Sequence, residues 1–354
     1  MQIHPFKAIR FNNDYWNMHK ALELAYSDDK IKCTKNIIEY LDLQIANGAA
    51  KIDIVPSLYI LKITSTSKSV ISIIGEIDYN DKSVMFMNEC VNLQKLKQYK
   101  SMFLNAKIQT TPVLTFYNDV QSIEQIVSQI DKKSQIINAN ICGNLYELWN
   151  VTNFQDIENI KLFFKPINRL YIADGHHRFS LFTNMQSTTL PRLVISITDS
   201  NSILLKSCHR VICGTISNYW INRIAQFGLI ESISSYSNTI GKIVIIFRDG
   251  KKFSLDCREK MSDMNIFDIV QKNVIEISFQ VTNCEENVFP IPGNVSPDDC
   301  EQVFNLYKNA SVAIFVPSID MSDFLHTIDN GHKLPATSTW FEPKIAEGFI
   351  FKKF

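Results

Sequence analysis

Arg169-Leu170-Tyr171-Ile172-Ala173-Asp174-Gly175-His176-His177-Arg178-Phe179 is the stretch on which the reading of this chain turns. The apolar residues Leu170 to Ala173 predict a short buried strand, which runs straight into an aspartate, a glycine, two histidines and an arginine. A buried strand that ends this way predicts an active-site edge. Gly175 permits a positive φ or a close ligand approach, so Asp174, His176, His177 and Arg178 can converge on one small volume. Arg178-Phe179-Ser180-Leu181-Phe182 resumes as a helix, and the N–H groups at a helix N-terminus suit an anion.

Working outward, the first question is what Asp174 does. An isolated aspartate at a strand end is most simply an Asx turn or a helix cap. With two histidines and an arginine inside four residues, a metal ligand, a partner that orients histidine, or a base is the stronger reading. Asp174, His176 and His177 make only part of a tetrahedral zinc set. Mg²⁺ arriving with a nucleotide needs one or two carboxylates beside the phosphates, so Asp174 is the candidate metal ligand. Glu76 and Glu89 are upstream carboxylates near predicted element ends, solvated charges in their plainest reading. Arg10, Arg178, Arg210 and Lys344 are candidate binders of phosphate or carboxylate. Ser338 and Thr339 could hydrogen-bond a phosphate or cap a turn. No Walker A loop, G-x-G-x-x-G or G-x-S-x-G elbow occurs.

Composition bounds the function. Over 354 residues, Lys+Arg 36 balances Asp+Glu 36, which argues against a broad nucleic-acid or anionic-membrane footprint. Eight scattered cysteines without a C-x-x-C pair predict reduced thiols. There is no signal-peptide core and no apolar run approaching the about 20 residues of a membrane span, so a cytoplasmic protein is expected.

In chain order, helical spacing predicts Tyr15–Leu24 and Ile31–Asn47, stopped by Gly48. Residues 58–63 and 70–78 predict a hairpin or meander, 88–105 a helix, Pro112–Tyr117 a strand and 122–130 a helix. Ile136–Ile141, Leu145–Val151, Phe163–Ile172, Leu193–Ile197 and Ile203–Ile212 predict strands. Beyond Gly214 come a helix at Trp220–Phe227 and a hairpin of Lys242–Phe247 with Lys252–Leu255 about Asp249-Gly250. A helix at Met264–Val274, a strand at Ile275–Val281, a helix at Asp298–Lys308, a strand at Val312–Val316 and a helix at Met321–Asp329 follow, with a last strand at Gly348–Phe351. Strands with helices in blocks predict α+β: a region 1–213 carrying the Asp174 turn, and a second α+β region 214–354 packed onto it.

Phe6-Lys7-Ala8-Ile9-Arg10, Leu148-Trp149, Tyr171 to Arg178, and Ser338-Thr339-Trp340-Phe341-Glu342-Pro343-Lys344 together resemble the uncharacterised family DUF1015 over nearly the whole chain. The D-G-H-H-R element also resembles the ParB/sulfiredoxin-like superfamily, which implies a mixed-sheet core of that type. There, a related turn binds nucleotide phosphates, and in free serine kinases it is part of a phosphotransfer site with a glutamate base. The resemblance therefore implies ATP or ADP with Mg²⁺ as cofactors. It puts Asp174, His176, His177 and Glu89 in catalytic roles, and Gly175, Arg178, Arg10, Ser338, Thr339 and Lys344 in cofactor binding. This sequence departs from the pattern in three places: Asn88 stands before Glu89 where a histidine is usual, Thr337 stands where a lysine is expected, and the segment after Arg10 is shortened.

The function implied is a nucleotide-dependent phosphotransferase acting on a small hydroxylated metabolite, free serine first. One alternative is a non-catalytic nucleotide-binding switch or partner-binding protein of ParB-like fold. The other is a metal-dependent hydrolase.

Overall fold

The computed structural model describes residues 1–11, 30–66, 68–101, 107–119, 121–130, 135–141, 143–184, 192–236, 239–260 and 264–354. The helix expected at Tyr15–Leu24 lies outside them. The fold is mixed α+β, and the chain divides into two compact units. The first comprises Met1–Met87, Val91–Leu204 and Pro343–Phe354; the second comprises Asn88–Cys90 and Leu205–Glu342. The boundary thus falls before Gly214, and the last residues return to the first unit.

The first unit is built on an eight-stranded mixed sheet. Its strands are β1 (Leu58–Thr64), β2 (Ser69–Asp78), β3 (Met85–Phe86), β4 (Val113–Tyr117), β5 (Gln135–Ile141), β6 (Asn144–Val151), β7 (Leu170–Asp174) and β8 (Arg192–Asp199), in the order β3-β7-β4-β8-β2-β1-β6-β5. β7 runs parallel to β3 and antiparallel to β4, which in turn runs parallel to β8. Both faces of β7 are covered. Leu170 and Ile172 enter the core with Phe179 and Phe182 of the following helix, while Tyr171 stacks on Phe116 at 5.3 Å between ring centroids. Each such aliphatic side chain contributes about 1.5–3 kcal/mol by leaving water, which fixes the strand that delivers Asp174.

Phe163 and Phe164 do not open a strand: they finish the helix Phe154–Phe164, started by Asn153, whose side chain accepts the Gln155 and Asp156 N–H groups. Ile157, Ile160 and Phe164 form its buried stripe, and the strand begins only at Leu170. Phe163-Phe164 is apolar enough for either state, and the helical spacing from Ile157 decides it.

The single strand expected at Ile203–Ile212 is two. Leu204–Ser207 pairs with Thr339–Glu342 in a two-stranded sheet, and His209–Cys213 lies inside a six-stranded one. The break at Cys208 is held by its N–H, which donates to the Ser338 carbonyl at 2.8 Å.

That six-stranded sheet is the centre of the second unit. With β9 (His209–Cys213), β10 (Leu229–Ser232), β11 (Ile243–Phe247), β12 (Lys252–Asp256), β13 (Val288–Ile291) and β14 (Ala310–Phe315), its order is β10-β12-β11-β14-β9-β13. The hairpin about Asp249-Gly250 is present as β11 and β12, with Gly250 at φ +89°. The strand expected at Ile275–Val281 is instead the end of a π-helix, Ile269–Ser278, entered from a turn capped by Asn265. Ile275, Ile277 and Phe279 alternate as a strand would, but Ile269, Val270, Val274, Ile275 and Ser278 are the buried set, and the Phe279 N–H bonds back to the Val274 carbonyl. Among the described residues no helix is long and apolar enough to cross a membrane.

Candidate functional site

β7 ends in an irregular register: Ile172 pairs with Thr115 and Asp174 with Leu114, leaving Ala173 as a bulge. A bulge re-aims the side chain beyond it, here Asp174. Gly175 then adopts φ +100°, and the Phe179 N–H closes the first turn of the helix His176–Asn184 on the Gly175 carbonyl at 3.0 Å. A Cβ at Gly175 would lie 2.9 Å from Arg178 Nη2, so the glycine is required both by its dihedral and by its neighbour.

The Asp174 carboxylate is shared by two cations. Its Oδ1 accepts from Lys344 Nζ at 3.0 Å, and its Oδ2 accepts from Arg178 Nη2 at 2.8 Å. Burial alone would raise this carboxyl; the Lys344 ammonium and then the Arg178 guanidinium outweigh it and hold it down at about 2. The two cations are unlike. Arg178 is only 3% exposed, and its Nη1 also donates to the carbonyls of Thr111 at 2.6 Å and Pro112 at 3.1 Å. It is a fixed peg between the turn and the start of β4. Lys344 is 34% exposed, and Asp174 36%. The Lys344 backbone is anchored by Tyr146, whose hydroxyl donates to its carbonyl at 2.9 Å.

The two histidines diverge. His176 is buried beside Asp174, and its protonated form would lower that carboxyl further. His177 Nε2 accepts the Asn92 backbone N–H at 3.0 Å, and its ring stacks on Tyr99 at 6.0 Å and 17°. His177 thus joins the helix Leu93–Ser101 to the site helix. An Nε2 that accepts puts the proton of the neutral ring on Nδ1, an assignment that follows from the bond.

A second cluster lies within the second unit. Glu89 bridges to Leu334, with the Leu334 N–H donating to the Asn88 carbonyl and the Cys90 N–H to the Leu334 carbonyl. The carboxylate of Glu89, 5% exposed, accepts from Thr337 N at 2.9 Å, from Thr339 N at 2.6 Å and from the Thr339 hydroxyl. Thr337 holds φ +58° to aim its N–H there, a conformation that costs a non-glycine residue about 1 kcal/mol. The Ser338 hydroxyl donates to the Pro335 carbonyl. The Ser338 hydroxyl is therefore engaged inside its own loop, and the Thr339 hydroxyl on Glu89.

Arg210 supplies the cation of this cluster. Burial pushes its guanidinium below the usual value, opposed by Cys208 and Glu89, and it also donates to the carbonyls of His209 and Ala336. Next to it, His209 is held neutral. Burial lowers it to about 4 against a hydrogen bond with Val295, and its Nδ1 accepts the Val316 N–H at 3.0 Å.

Arg10 is committed to Asp53. Its Nε and Nη2 both donate to that carboxylate, at 3.0 and 2.7 Å to Oδ1, and Tyr59 donates to Oδ2 at 2.7 Å. Of the residues selected from sequence, Asp174, Gly175, His176, Arg178 and Lys344 are brought together within the first unit. Glu89, Ser338 and Thr339 are brought together within the second. Asp53, Tyr59 and Tyr146 were missed. Of these, Asp53 alone had a local signal, as a carboxylate in a short strand-forming stretch. Among the described residues no group of three or more His, Cys, Asp and Glu side chains could hold a metal ion.

A family model described as a protein of unknown function, DUF1015, matches residues 16–276. The chain belongs to the DUF1015 family. The match contains Glu89 and the Asp174–Arg178 turn of this DUF1015 protein, while Arg10 and the Ser338–Lys344 segment lie outside it. No curated protein matches the chain. Among solved structures, it is similar to SbnI with a C-terminal truncation from Staphylococcus aureus, at 12% identity and a TM-score of 0.44, covering 77% of this chain and 85% of that one. A free serine kinase in complex with AMP is similar at 13% identity and a TM-score of 0.43, covering 78% and 88%. A conserved hypothetical protein from Pyrococcus furiosus is similar at 13% identity and 0.44, covering 77% and 93%. At this distance the chemistry of the DUF1015 site rests on its own residues.

Proposed function

We propose that this DUF1015 protein is a nucleotide-dependent phosphotransferase with a ParB/sulfiredoxin-like core. In this reading the phosphates of ATP or ADP bind at the Asp174–Arg178 turn, and a small hydroxylated metabolite, free serine first, accepts the transferred group. The observation that carries the reading is the turn itself. A buried strand passes through Gly175 at φ +100° directly into the N-terminus of a nine-residue helix, with the Lys344 ammonium 3.0 Å from Asp174. A helix N-terminus with a cation beside it favours a phosphate. Phosphoryl transfer asks chiefly for positioning and charge neutralisation.

The roles follow from burial and partners. Lys344 offsets phosphate charge, Arg178 supplies a fixed positive background, and Asp174 holds both. His176, beside Asp174, is of the side-chain type that takes up a proton near neutral pH and is the assigned acceptor for the hydroxyl proton. Glu89 is assigned to ordering the Thr337–Thr339 loop, because its oxygens already accept two backbone N–H groups and a hydroxyl. That same saturation favours a second reading, nucleotide binding without transfer, in which the protein is a switch.

Phosphorus NMR separates the two readings. The protein is incubated with Mg²⁺, ATP or ADP and a pool of amino acids and hydroxy acids. A phosphomonoester resonance that appears with the wild type and not with His176→Asn supports transfer. Broadened nucleotide resonances with no new peak favour the switch, and unchanged spectra reject both.

A further inference from the structure

Asp174 is the side chain that a nucleotide's Mg²⁺ would be expected to use, and its surroundings do not fit that role. Mg²⁺ takes carboxylate oxygens at about 2.1 Å and holds several waters around it. Here one oxygen is 3.0 Å from the Lys344 ammonium and the other 2.8 Å from the Arg178 guanidinium. Two cations against one carboxylate already leave the group with net positive charge, whatever the state of His176. A divalent cation at either oxygen would meet a like charge at close range in a partly desolvated site, where such repulsion is poorly screened. Arg178 has no room to withdraw, being 3% exposed and bound to the Thr111 and Pro112 carbonyls. Lys344 is the half-exposed member, on a backbone fixed by Tyr146.

We propose, resting on the phosphate reading above, that Lys344 takes the place of a protein-bound metal. Asp174 positions its ammonium to bridge carboxylate and ligand, and the turn binds a terminal phosphate or phosphoanhydride without a metal of its own. An ammonium is a three-donor group, so this bridge lies within its geometry. The ligand class is a phosphoanhydride, carried either by a nucleoside diphosphate or by inorganic pyrophosphate. Asp174 acts here as a positioning residue for Lys344.

Isothermal titration calorimetry on the full chain tests this, with ADP, AMP and pyrophosphate each titrated in EDTA and again in Mg²⁺. Wild type is expected to bind ADP in EDTA with a Kd within about threefold of its value in Mg²⁺. Lys344→Met should weaken binding roughly 10- to 100-fold in both buffers, the size of one lost charge-assisted hydrogen bond. Lys344→Arg should recover part of that loss, which a purely structural role would not produce. Asp174→Asn should weaken binding in both buffers, whereas a metal ligand would lose only the Mg²⁺-dependent part. Pyrophosphate binding as tightly as ADP assigns the site to the anhydride alone, and ADP binding more tightly adds the nucleoside. The inference is overturned if wild type binds only with Mg²⁺ and Lys344→Met matches it, an outcome that leaves the phosphate reading standing. Absence of binding by all three probes in both buffers removes the reading and the inference together. Thermal melts of each variant guard against misfolding, and the EDTA comparison on wild type needs no variant.

Discussion

Asp174 and Glu89 are both carboxylates selected from sequence, and the two regions that hold them satisfy a negative charge by opposite means. Asp174 is held by side-chain cations, one of which, Lys344, is half exposed. Glu89 is held by the backbone N–H groups of Thr337 and Thr339 and by a hydroxyl, and is almost fully buried. A lysine ammonium can exchange partners by rotating its stem, whereas backbone donors move only if the loop moves. The first arrangement suits a site that receives a ligand, and the second suits a scaffold. Glu89, which by resemblance to free serine kinases would be the base, has the surroundings of the scaffold.

The sharpest way to break that contrast is Glu89→Gln. The amide turns one acceptor into a donor facing the backbone N–H of either Thr337 or Thr339 and leaves Arg210 without its counter-charge, so stability should fall by about 3 kcal/mol in chemical denaturation. A loss under about 1 kcal/mol would mean that Glu89 is not a scaffold group.

His209 tests the same region by pH. Its folded value of about 4 lies below the ordinary 6.5, so the unfolded chain binds the extra proton. Stability is complete above about pH 6.5 and is lost as the pH falls towards 4, by about 3 kcal/mol in all. His209→Gln should flatten denaturation midpoints across that window; an unchanged slope would place the acid sensitivity elsewhere.

Gly175→Ala should cost about 1–2 kcal/mol through its positive φ. It should also displace Arg178, because the new Cβ falls 2.9 Å from Nη2. Denaturation measures the first effect and ADP titration the second, and unaltered binding would detach Arg178 from the site.

The smallest expected stability change is Asp174→Asn. Its folded value of about 2 lies below 3.8, so its contribution is complete above about pH 4 and fades as the pH falls through 2. Exposure screens it to about 1 kcal/mol at neutral pH. Phosphate binding should nonetheless weaken. A stability loss equal to that of Glu89→Gln would erase the distinction between the two regions.

Much of the turn was legible because its signals are local. Leu170 to Ala173 form a strand, Gly175 has a positive φ, and Arg178 lies four residues after Asp174 on the first turn of a helix, where such pairs meet. The failures occurred where one apolar pattern serves two states. Phe163-Phe164 completes a helix, and Ile269–Ser278 runs as a π-helix because the buried set there is not the alternating one. Ile203–Ile212 reads as one strand, yet its halves pair with different partners, Thr339–Glu342 and Ala310–Phe315. A sequence window holds no record of which edge a strand will find.

The sequence by itself determined the α+β class, the Asp174–Arg178 turn, the membership of the DUF1015 family and the residues in question, because these depend on neighbours along the chain. Tertiary structure alone decided what each residue touches. It set Lys344 against Asp174 across 170 positions, gave Glu89 to a loop some 250 positions away, and tied Arg10 to Asp53 and His177 to Asn92. Charge compensation is a property of distance in space, and a buried ionic group takes whichever partner the packed sheets bring to it.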